Sequence, residues 1–224
     1  MIPCISVENM RQCDAYTIAN LIPSLELMYR AAYGVFKAHD WSGRTAIVVG
    51  SGNNGGDGFA LAWILKEQGF DCMVFTVSQR MSRDSACYAE KAMHAGIPIK
   101  PFEEGCLVGF VTVVDCLLGT GFSGPVRGSY RDAITAINAS QAYVVSVDIN
   151  SGMNGDTGDA EVTVCSDLTV TIGYIKIGLI TANAGNYMKR LVCADIGIVL
   201  VREEGTITDE TCPPWLDMNI ISVK

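Results

Sequence analysis

The residues with the most evident chemistry lie between 50 and 58, in the string Gly-Ser-Gly-Asn-Asn-Gly-Gly-Asp-Gly. A β-branched run precedes this glycine-rich string and helical periodicity follows it. A strand that passes through such a loop into a helix N-terminus presents backbone N–H groups and a positive dipole end, which bind phosphate. Asn53, Asn54 and Asp57 add two amides and a carboxylate. The string therefore predicts an anion-binding loop, in which Asp57 is also well placed as a helix N-cap.

Two further carboxylates, Asp115 and Asp148, each follow an apolar run that is typical of a strand. Because the carboxyl ends of parallel strands meet at one edge of a sheet, both are expected close to the glycine loop. Together with the Asn54 side-chain carbonyl and the Ser151 hydroxyl, they could form an oxygen cage for a hard cation. The alternative for each aspartate is a cap for the loop that follows it.

Other chemistries lack their characteristic residues. The glycine loop satisfies the pattern G-x-G-x-x-G, but the end of the second predicted strand reads Thr76, Val77, Ser78 and lacks the acid that binds the ribose in NAD dehydrogenases. The nucleophile elbow G-x-S-x-G of serine hydrolases is absent. His39 and His94 are isolated in the sequence and are expected to be solvated or capping residues.

Composition narrows the class of protein. The chain has 224 residues, 49% of them hydrophobic, which suits one large domain around a buried parallel sheet. A net charge of −8 disfavours a nucleic-acid partner, because phosphate backbones are bound by lysine and arginine patches. The nine cysteines are scattered without C-x-x-C spacing, as is usual for reduced thiols. The N-terminal segment lacks a secretory signal pattern, and no apolar run reaches the length of about 18 residues that a membrane span needs. We therefore expect a cytoplasmic protein with no membrane partner.

Hydrophobic periodicity predicts alternating helices and strands. Helices are predicted over 7–38 with a break at Pro23, 57–68, 84–95 and 130–139, and strands over 45–49, 72–77, 97–100, 110–115, 143–147, 161–172 and 191–201. This alternation predicts an α/β fold, a three-layer α/β/α sandwich of Rossmann-like type with a mostly parallel central sheet. Residues 1–202 are interpreted as a single domain that includes the N-terminal helices, and residues 203–224 as a poorly ordered tail. The polar loops 50–58, 115–128 and 148–158 should converge at one sheet edge.

Four strings carry a resemblance to a known family: GSGNNGGDGFALAWIL, VDCLLGTGFSGPVRG, VDINSGMNGDTGD and TIGYIKIGL, followed by ADIGI. In this order they resemble the successive motifs of the NAD(P)HX epimerase family, the YjeF N-terminal domain. The resemblance implies a Rossmann-like fold, a homodimer, and interconversion of the R and S epimers of hydrated NADH and NADPH. The S epimer is then the substrate of an ADP- or ATP-dependent dehydratase, which would be the functional partner in cofactor repair.

The resemblance also implies site residues. The substrate NADHX or NADPHX would be bound by two segments and one helix residue: Asn53, Asn54, Gly55, Gly56 and Asp57; Gly119, Thr120, Gly121, Phe122, Ser123, Gly124 and Pro125; and Tyr130. Asn54, Asp115 and Ser151 resemble the ligands of one potassium ion (K⁺) per subunit. Asp148 resembles the carboxylate that contacts the substrate, and it is our candidate catalytic residue.

The chain departs from the family pattern at several positions. Asn150 stands where the family commonly has proline, Gly124 where it often has arginine, and Ile175 where proline precedes the lysine. Near the N-terminus, 30–32 read Arg-Ala-Ala where the family has Ala-Gly after Met-Glu. Loss of a proline loosens a loop without removing a ligand, whereas loss of the arginine predicts a weaker phosphate contact.

The implied reaction needs only acid–base chemistry. The ring nitrogen next to the epimerised carbon can assist departure of its hydroxyl, and water can return on the other face. A carboxylate such as Asp148 suffices to move the protons. Lys176 could pair with Asp148 or with a phosphate, or be solvated. The competing functions are an NAD-dependent oxidoreductase and a non-catalytic nucleotide-binding or protein-interaction scaffold of the same fold.

Overall fold

The structure is a computed structural model, and it describes residues 1–223. Its helices are α1 Val7–Asn20, α2 Ser24–Ala38, α3 Asn53–Glu67, α4 Arg83–His94 and α5 Ser129–Ala139, with 3₁₀ turns at Ile177–Ile180 and Ala184–Asn186. Its strands are β1 Ile2–Ile5, β2 Arg44–Val49, β3 Asp71–Thr76, β4 Ile99–Pro101, β5 Thr112–Cys116, β6 Tyr143–Val147, β7 Leu168–Ile172, β8 Ile175–Lys176, β9 Leu191–Asp195, β10 Gly205–Ile207 and β11 Ile221–Ser222.

The main sheet has eight strands in the order β11-β9-β7-β6-β5-β2-β3-β4, all paired in parallel. The chain proceeds in one direction from β2 to β4 and in the other from β5 onward. The order therefore reverses between β2 and β5, which is the point where ligands bind in open parallel sheets. The predicted α/β class and mostly parallel sheet are confirmed.

Helices cover both faces of this sheet. On one face, α2, α3 and α4 bury a core that includes Met28, Phe59 and Tyr88. On the other, α5 packs Ile134 and Ile137 against β2 and β5. The interior strands are buried along their length, as expected for a parallel sheet covered on both sides. Among the helices in residues 1–223, none combines the length and apolar character needed to cross a bilayer.

Helix α3 begins at Asn53, four residues before the predicted start, so the interpretation of Asp57 as its N-cap is wrong. Gly52 is the N-cap, with extended backbone and no side-chain hydrogen bond. The glycines that suggested a longer loop lie in the first turns of α3, where they permit close packing. A Cβ on Gly55 would lie 2.3 Å from the Gly50 carbonyl oxygen, and one on Gly58 would lie 2.7 Å from Val49 Cγ1.

The predicted strand over 161–172 begins only at Leu168. In the preceding segment, backbone groups bond to a side chain rather than to a neighbouring strand. The Asn138 side chain donates to the Thr163 carbonyl and accepts from the Cys165 N–H, at 2.8 Å in both cases. The predicted strand over 191–201 likewise ends at Asp195.

The interpretation of 203–224 as a poorly ordered tail is wrong for residues 205–223, and residue 224 lies outside the described residues. Strand β10 pairs antiparallel with β1, and β11 pairs parallel with β9. Leu216 is buried in a core cluster with Ile2 and Ile207. Strand β1, which the sequence interpretation also missed, lies between β10 and β8 in a separate three-stranded sheet.

Candidate active site

The predicted convergence of polar loops occurs where β2 and β5 end. The Gly50 N–H donates to the Cys116 carbonyl at 3.0 Å, joining the two strand ends. A cleft of about 660 Å³ opens above them. The predicted site residues that line it are Asn53, Asn54, Asp57, Gly119, Thr120, Gly121, Phe122, Ser123 and Asp148. The N-terminus of α3 and both other loops therefore border one space, as an anion-binding site requires.

Five of the predicted substrate contacts do not line this cleft. Gly55 and Gly56 are buried inside α3. Gly124 borders a neighbouring cleft of about 480 Å³, which shares only Phe122 and Ser123 with the first. Tyr130 supports the glycine loop from behind: its hydroxyl accepts from Ser51 N–H at 3.1 Å and donates to Ser51 Oγ at 3.2 Å. Pro125 lines neither cleft. These contacts stay predictions.

Asp148 has a backbone conformation that sets it apart. Its φ of 71° is the only positive value at a non-glycine residue in the described chain. Asparagine and aspartate tolerate this region best, and such strain is found mainly at functional sites. Here it turns the carboxylate from the end of β6 into the cleft, where Oδ2 accepts from Thr120 N–H at 3.3 Å.

Lys176 is the cation that faces Asp148. Its ammonium donates to Asp148 Oδ1, to Thr171 Oγ1 at 3.1 Å and to the Ile172 carbonyl at 2.7 Å. The Lys176 side chain is 1% exposed, so the solvated alternative is wrong. Its position depends on the small sheet, because β8 pairs with β1 at Ile5. The N-terminal strand thus helps to hold the cation of the site.

Asn150, one of the departures from the family pattern, anchors the loop that follows β6. It is fully buried, and its amide donates to the Val164 and Tyr187 carbonyls at 2.9 and 3.0 Å. Its carbonyl accepts from Thr169 Oγ1 at 2.6 Å. Proline has no side-chain amide for these contacts. Asn150 therefore fixes the loop between Asp148 and Ser151 by hydrogen bonds rather than by ring rigidity.

The three predicted cation ligands meet around Leu118. Asn54 Nδ2 donates to the Leu118 carbonyl at 3.0 Å, and the Leu118 N–H donates to Ser151 Oγ at 2.8 Å. Ser151 in turn donates to Asp115 Oδ1 at 2.5 Å. Burial raises the pKa of Asp115, opposed by hydrogen bonds from Ser151, Leu117 and Ser146.

Two features of this cluster fit a cation with oxygen ligands. Asn54 Oδ1 is buried and accepts no hydrogen bond from residues 1–223, and a buried acceptor without a partner is unfavourable. Asp115 is fully buried and forms no ion pair within the described chain. Over the same residues, no group of three or more His, Cys, Asp or Glu side chains is placed to hold a metal ion. Amide, hydroxyl and carbonyl oxygens beside one carboxylate suit a hard cation of low charge.

Helix α1 brings a carboxyl group into the cleft that the sequence interpretation missed. Asp14 lines the cleft beside Asp57, Asp148 and Lys176. Burial, and then the nearby Asp148 carboxylate, raise the pKa of Asp14 to about 6, while Lys176 opposes the rise. Burial, and then Asp148 and Asp14, hold the pKa of Asp57 well above its usual range. The site is therefore a cluster of carboxyl groups that share one buried lysine.

The raised pKa of Asp14 predicts a pH-dependent contribution to stability. The folded state binds the Asp14 proton more tightly than the unfolded state, so stability falls as pH rises from about 4 to about 6. Asp14→Asn should remove this loss and raise the free energy of unfolding at pH 7 by about 1 kcal/mol, allowing for partial exposure. Urea unfolding at pH 4.5 and 7 measures it, with Glu90→Gln as an exposed control. Identical pH dependence in wild type and Asp14→Asn would contradict the prediction.

The sequence carries a signal for the missed residue Asp14, and a similar one for Lys176, which the sequence interpretation did name. In α1, Met10, Cys13 and Thr17 are buried at helical spacing, and Asp14 shares their face. A carboxyl group on the apolar face of a helix is uncommon unless it has a partner or a function. Lys176 stands in the apolar string TIGYIKIGL, where a lysine is similarly out of place.

Comparison with known proteins shows the family to which the chain belongs. A model of the family described as "YjeF-related protein N-terminus" matches residues 24–178, which leaves α1 outside the matched segment. The NAD(P)H-hydrate epimerase of Lentilactobacillus buchneri is 37% identical over 208 residues, covering 88% of this chain and 96% of the relative. That of Limosilactobacillus reuteri is 38% identical over 207 residues, covering 88% and 97%.

A longer relative and a solved structure also match. The bifunctional NAD(P)H-hydrate repair enzyme Nnr of Coxiella burnetii is 36% identical over 213 residues, covering 92% of this chain and 44% of the relative. The crystal structure of the yeast protein ynu0 superposes with a TM-score of 0.76 at 20% identity, covering 94% of this chain and 98% of that one. At this level of identity, the similarity to the yeast structure shows a common fold.

Proposed function

The chain belongs to the family of the YjeF-related protein N-terminus, and from this membership we infer that it is an isomerase, an NAD(P)H-hydrate epimerase. Its substrates are the R and S epimers of hydrated NADH and NADPH. The observation that carries the assignment to this cleft is the ion pair between Asp148 and the buried Lys176, beside the N-terminus of α3. That arrangement offers a proton-transfer group next to a site for the phosphates of a dinucleotide.

Binding and orientation use the borders of the cleft. The backbone N–H groups at the start of α3, near Asn53 and Asn54, receive the pyrophosphate. The loop 119–123 closes the opposite side, and a Cβ on Gly119 would lie 3.1 Å from Asp148 Oδ2 and 3.3 Å from Asn54 Cβ. A side chain at position 119 would therefore crowd both Asp148 and Asn54, so glycine keeps these two cleft residues undisturbed.

Asp148 moves the protons of the reaction. It donates a proton to the departing hydroxyl while the ring nitrogen lone pair forms a C=N bond, and the hydroxyl leaves as water. A new water then bonds to the same carbon and gives up a proton to the Asp148 carboxylate, as the C=N bond returns to a single bond and the nitrogen recovers its lone pair. General acid–base catalysis of this kind contributes roughly 10²- to 10⁴-fold. Lys176 holds the Asp148 carboxylate in place.

Asn54, Asp115 and Ser151 are proposed to hold one K⁺. Support comes from the unpartnered Asn54 Oδ1 and from the buried Asp115 carboxylate without an ion pair in residues 1–223. When bound, the ion supplies positive charge that offsets Asp115 and favours the phosphates nearby. The described residues themselves join the Gly119 loop to the loop after β6 through Leu118.

Exchange of the cation tests this site. Replacement of K⁺ by Li⁺ or choline at constant ionic strength should raise the substrate KM about tenfold, which corresponds to about 1.4 kcal/mol. The Ser151→Ala variant should show a smaller difference between the cations, because one ligand is already missing. Equal KM values in all three salts would count against a cation site.

We propose an ADP- or ATP-dependent dehydratase as the functional partner, and a homodimer as the assembly. Support for the partner is that the Coxiella burnetii relative is named bifunctional and extends well beyond the matched region. A mixture of both NADH hydrate epimers with such a dehydratase should be consumed in two phases, the second limited by spontaneous epimerisation. This chain should abolish the slow phase. A slow phase that persists unchanged would refute the epimerase function.

A further inference from the structure

Helix α1 supplies a second carboxyl group to the active site. Asp14 and Asp148 line the same cleft but come from different elements, α1 and the end of β6. Within residues 1–223 the Asp14 carboxyl accepts no hydrogen bond, whereas Asp148 accepts from Lys176 and Thr120. Asp14 is therefore free to bond with a ligand in the cleft.

The charges that face Asp14 come from every wall of the cleft. They are Asp148 from β6, Asp57 from α3 and Lys176 from β8, with Arg11 on its own helix and Asp84 of α4 also bordering the cleft. Arg11 donates to the Thr120 carbonyl at 2.7 Å and so lies at the mouth. Burial and the neighbouring carboxylates raise the pKa of Asp14 and of Asp57, and Lys176 opposes both rises.

The reaction requires proton transfer on both faces of one carbon atom. On one face a leaving hydroxyl needs a proton donor, and on the other an entering water needs a proton acceptor. Asp148 alone would have to reach both faces of the ring. We propose that Asp14 is the second catalytic acid–base group, acting on the ring face opposite Asp148; this rests on the proposed function.

The step balances without any co-reactant. One carboxyl group gives its proton to the leaving hydroxyl, the C–O bond breaks, and the ring nitrogen pair forms C=N. Water on the opposite face forms the new C–O bond, its proton passes to the other carboxylate, and the nitrogen recovers its pair. The two groups have then exchanged protonation states, and the reverse reaction or the solvent restores them.

Asp14 suits this exchange better than Asp57. A group that both donates and accepts works best when its pKa lies near the operating pH. The pKa of Asp14 is raised to about 6, whereas that of Asp57 lies well above its usual range. Asp57 is therefore less suited than Asp14 to accept a proton from water.

Oxygen exchange separates this role from a structural one. In H₂¹⁸O the wild-type protein should incorporate ¹⁸O and epimerise at linked rates. In Asp14→Asn, epimerisation should fall about 100-fold. Exchange should continue for the one epimer whose hydroxyl faces Asp148, with retention of configuration, because Asp148 can return water to its own face. Loss of exchange in parallel with epimerisation, or loss of neither, would overturn the proposal.

Further measurements control for folding and for charge. The wild-type profile of kcat/KM against pH should show an inflection near pH 6 that Asp14→Asn lacks and Asp14→Glu restores. Glu90→Gln, an exposed change on α4, should alter neither rate, and Asp14→Asn should unfold at or above the wild-type Tm at pH 7. An unaltered profile in Asp14→Asn would overturn the role of Asp14 alone, whereas a wild-type protein with neither epimerisation nor exchange would refute the proposed function itself.

Discussion

Asp148→Asn should slow epimerisation by roughly 10²- to 10⁴-fold while the protein remains folded. The amide keeps the shape of the carboxylate but can neither donate a carboxyl proton nor accept one from water. Asparagine also tolerates the positive φ of 71° at this position, where most residues would be strained. The measurement is the initial rate of epimer interconversion, with circular dichroism to confirm the fold.

The matched control for Asp148→Asn is Asp132→Asn, the same substitution in the first turn of α5 on the protein surface. It should leave the rate unchanged. In Asp148→Asn the Lys176 ammonium keeps its hydrogen bonds to Thr171 Oγ1 and to the Ile172 carbonyl, so we expect Lys176 to stay in place without the ion pair. A rate within threefold of wild type, on the order of 0.6 kcal/mol, would remove Asp148 from the chemistry.

Gly55→Ala is expected to have the largest effect on binding and stability together. Its Cβ would lie 2.3 Å from the carbonyl oxygen of Gly50 and 3.1 Å from the carbonyl carbon, both of them backbone atoms. Since Gly50 is tied to Cys116 at the end of β5, the N-terminus of α3 must move instead. Overpacking of this kind costs about 1–3 kcal/mol. For a chain of this length that lowers Tm by roughly 2–10 °C.

The displaced helix end should also bind the phosphates less well, with a rise in substrate KM of about tenfold or more. Gly52→Ala is the stability control from the same loop, because its Cβ would meet nothing within 4 Å and its φ of −91° suits alanine. Since alanine is less favourable than glycine at an N-cap, that control should cost roughly 0.5–1 kcal/mol, about 1–4 °C in Tm, and should leave the position of α3 unchanged. A Gly55→Ala protein with wild-type Tm and KM would show that close packing of α3 on the loop is unimportant.

Much of the fold follows from local sequence patterns. The apolar runs that became β2, β5 and β6 are bounded by turn residues, and parallel strands place their carboxyl ends together. That argument led correctly to one cleft bordered by the glycine loop and by Asp148. Glycine content misled it at α3, because Gly55 and Gly58 serve close packing inside a helix rather than a longer loop.

The remainder depends on contacts between distant parts of the chain. Strands β1 and β10 are short, and their paired residues, such as Cys4 and Gly205, lie about 200 positions apart in the chain, so no local pattern predicts this pairing. Without that small sheet the burial of Lys176 beside Asp148 cannot be inferred. The position of Asp14 in the cleft likewise depends on tertiary packing. The sequence shows on which face of its helix Asp14 lies, but not which other elements that face contacts. The backbone strain at Asp148 is visible only in three dimensions.

The measurement that tests the central claim most directly starts from one purified epimer of NADH hydrate. Chromatography follows the appearance of the other epimer with time, with and without the protein in K⁺ buffer. We predict an initial rate that rises in proportion to protein concentration, an unchanged final epimer ratio, and loss of the acceleration in Asp148→Asn. Interconversion at the spontaneous rate whatever the amount of folded protein would contradict the account.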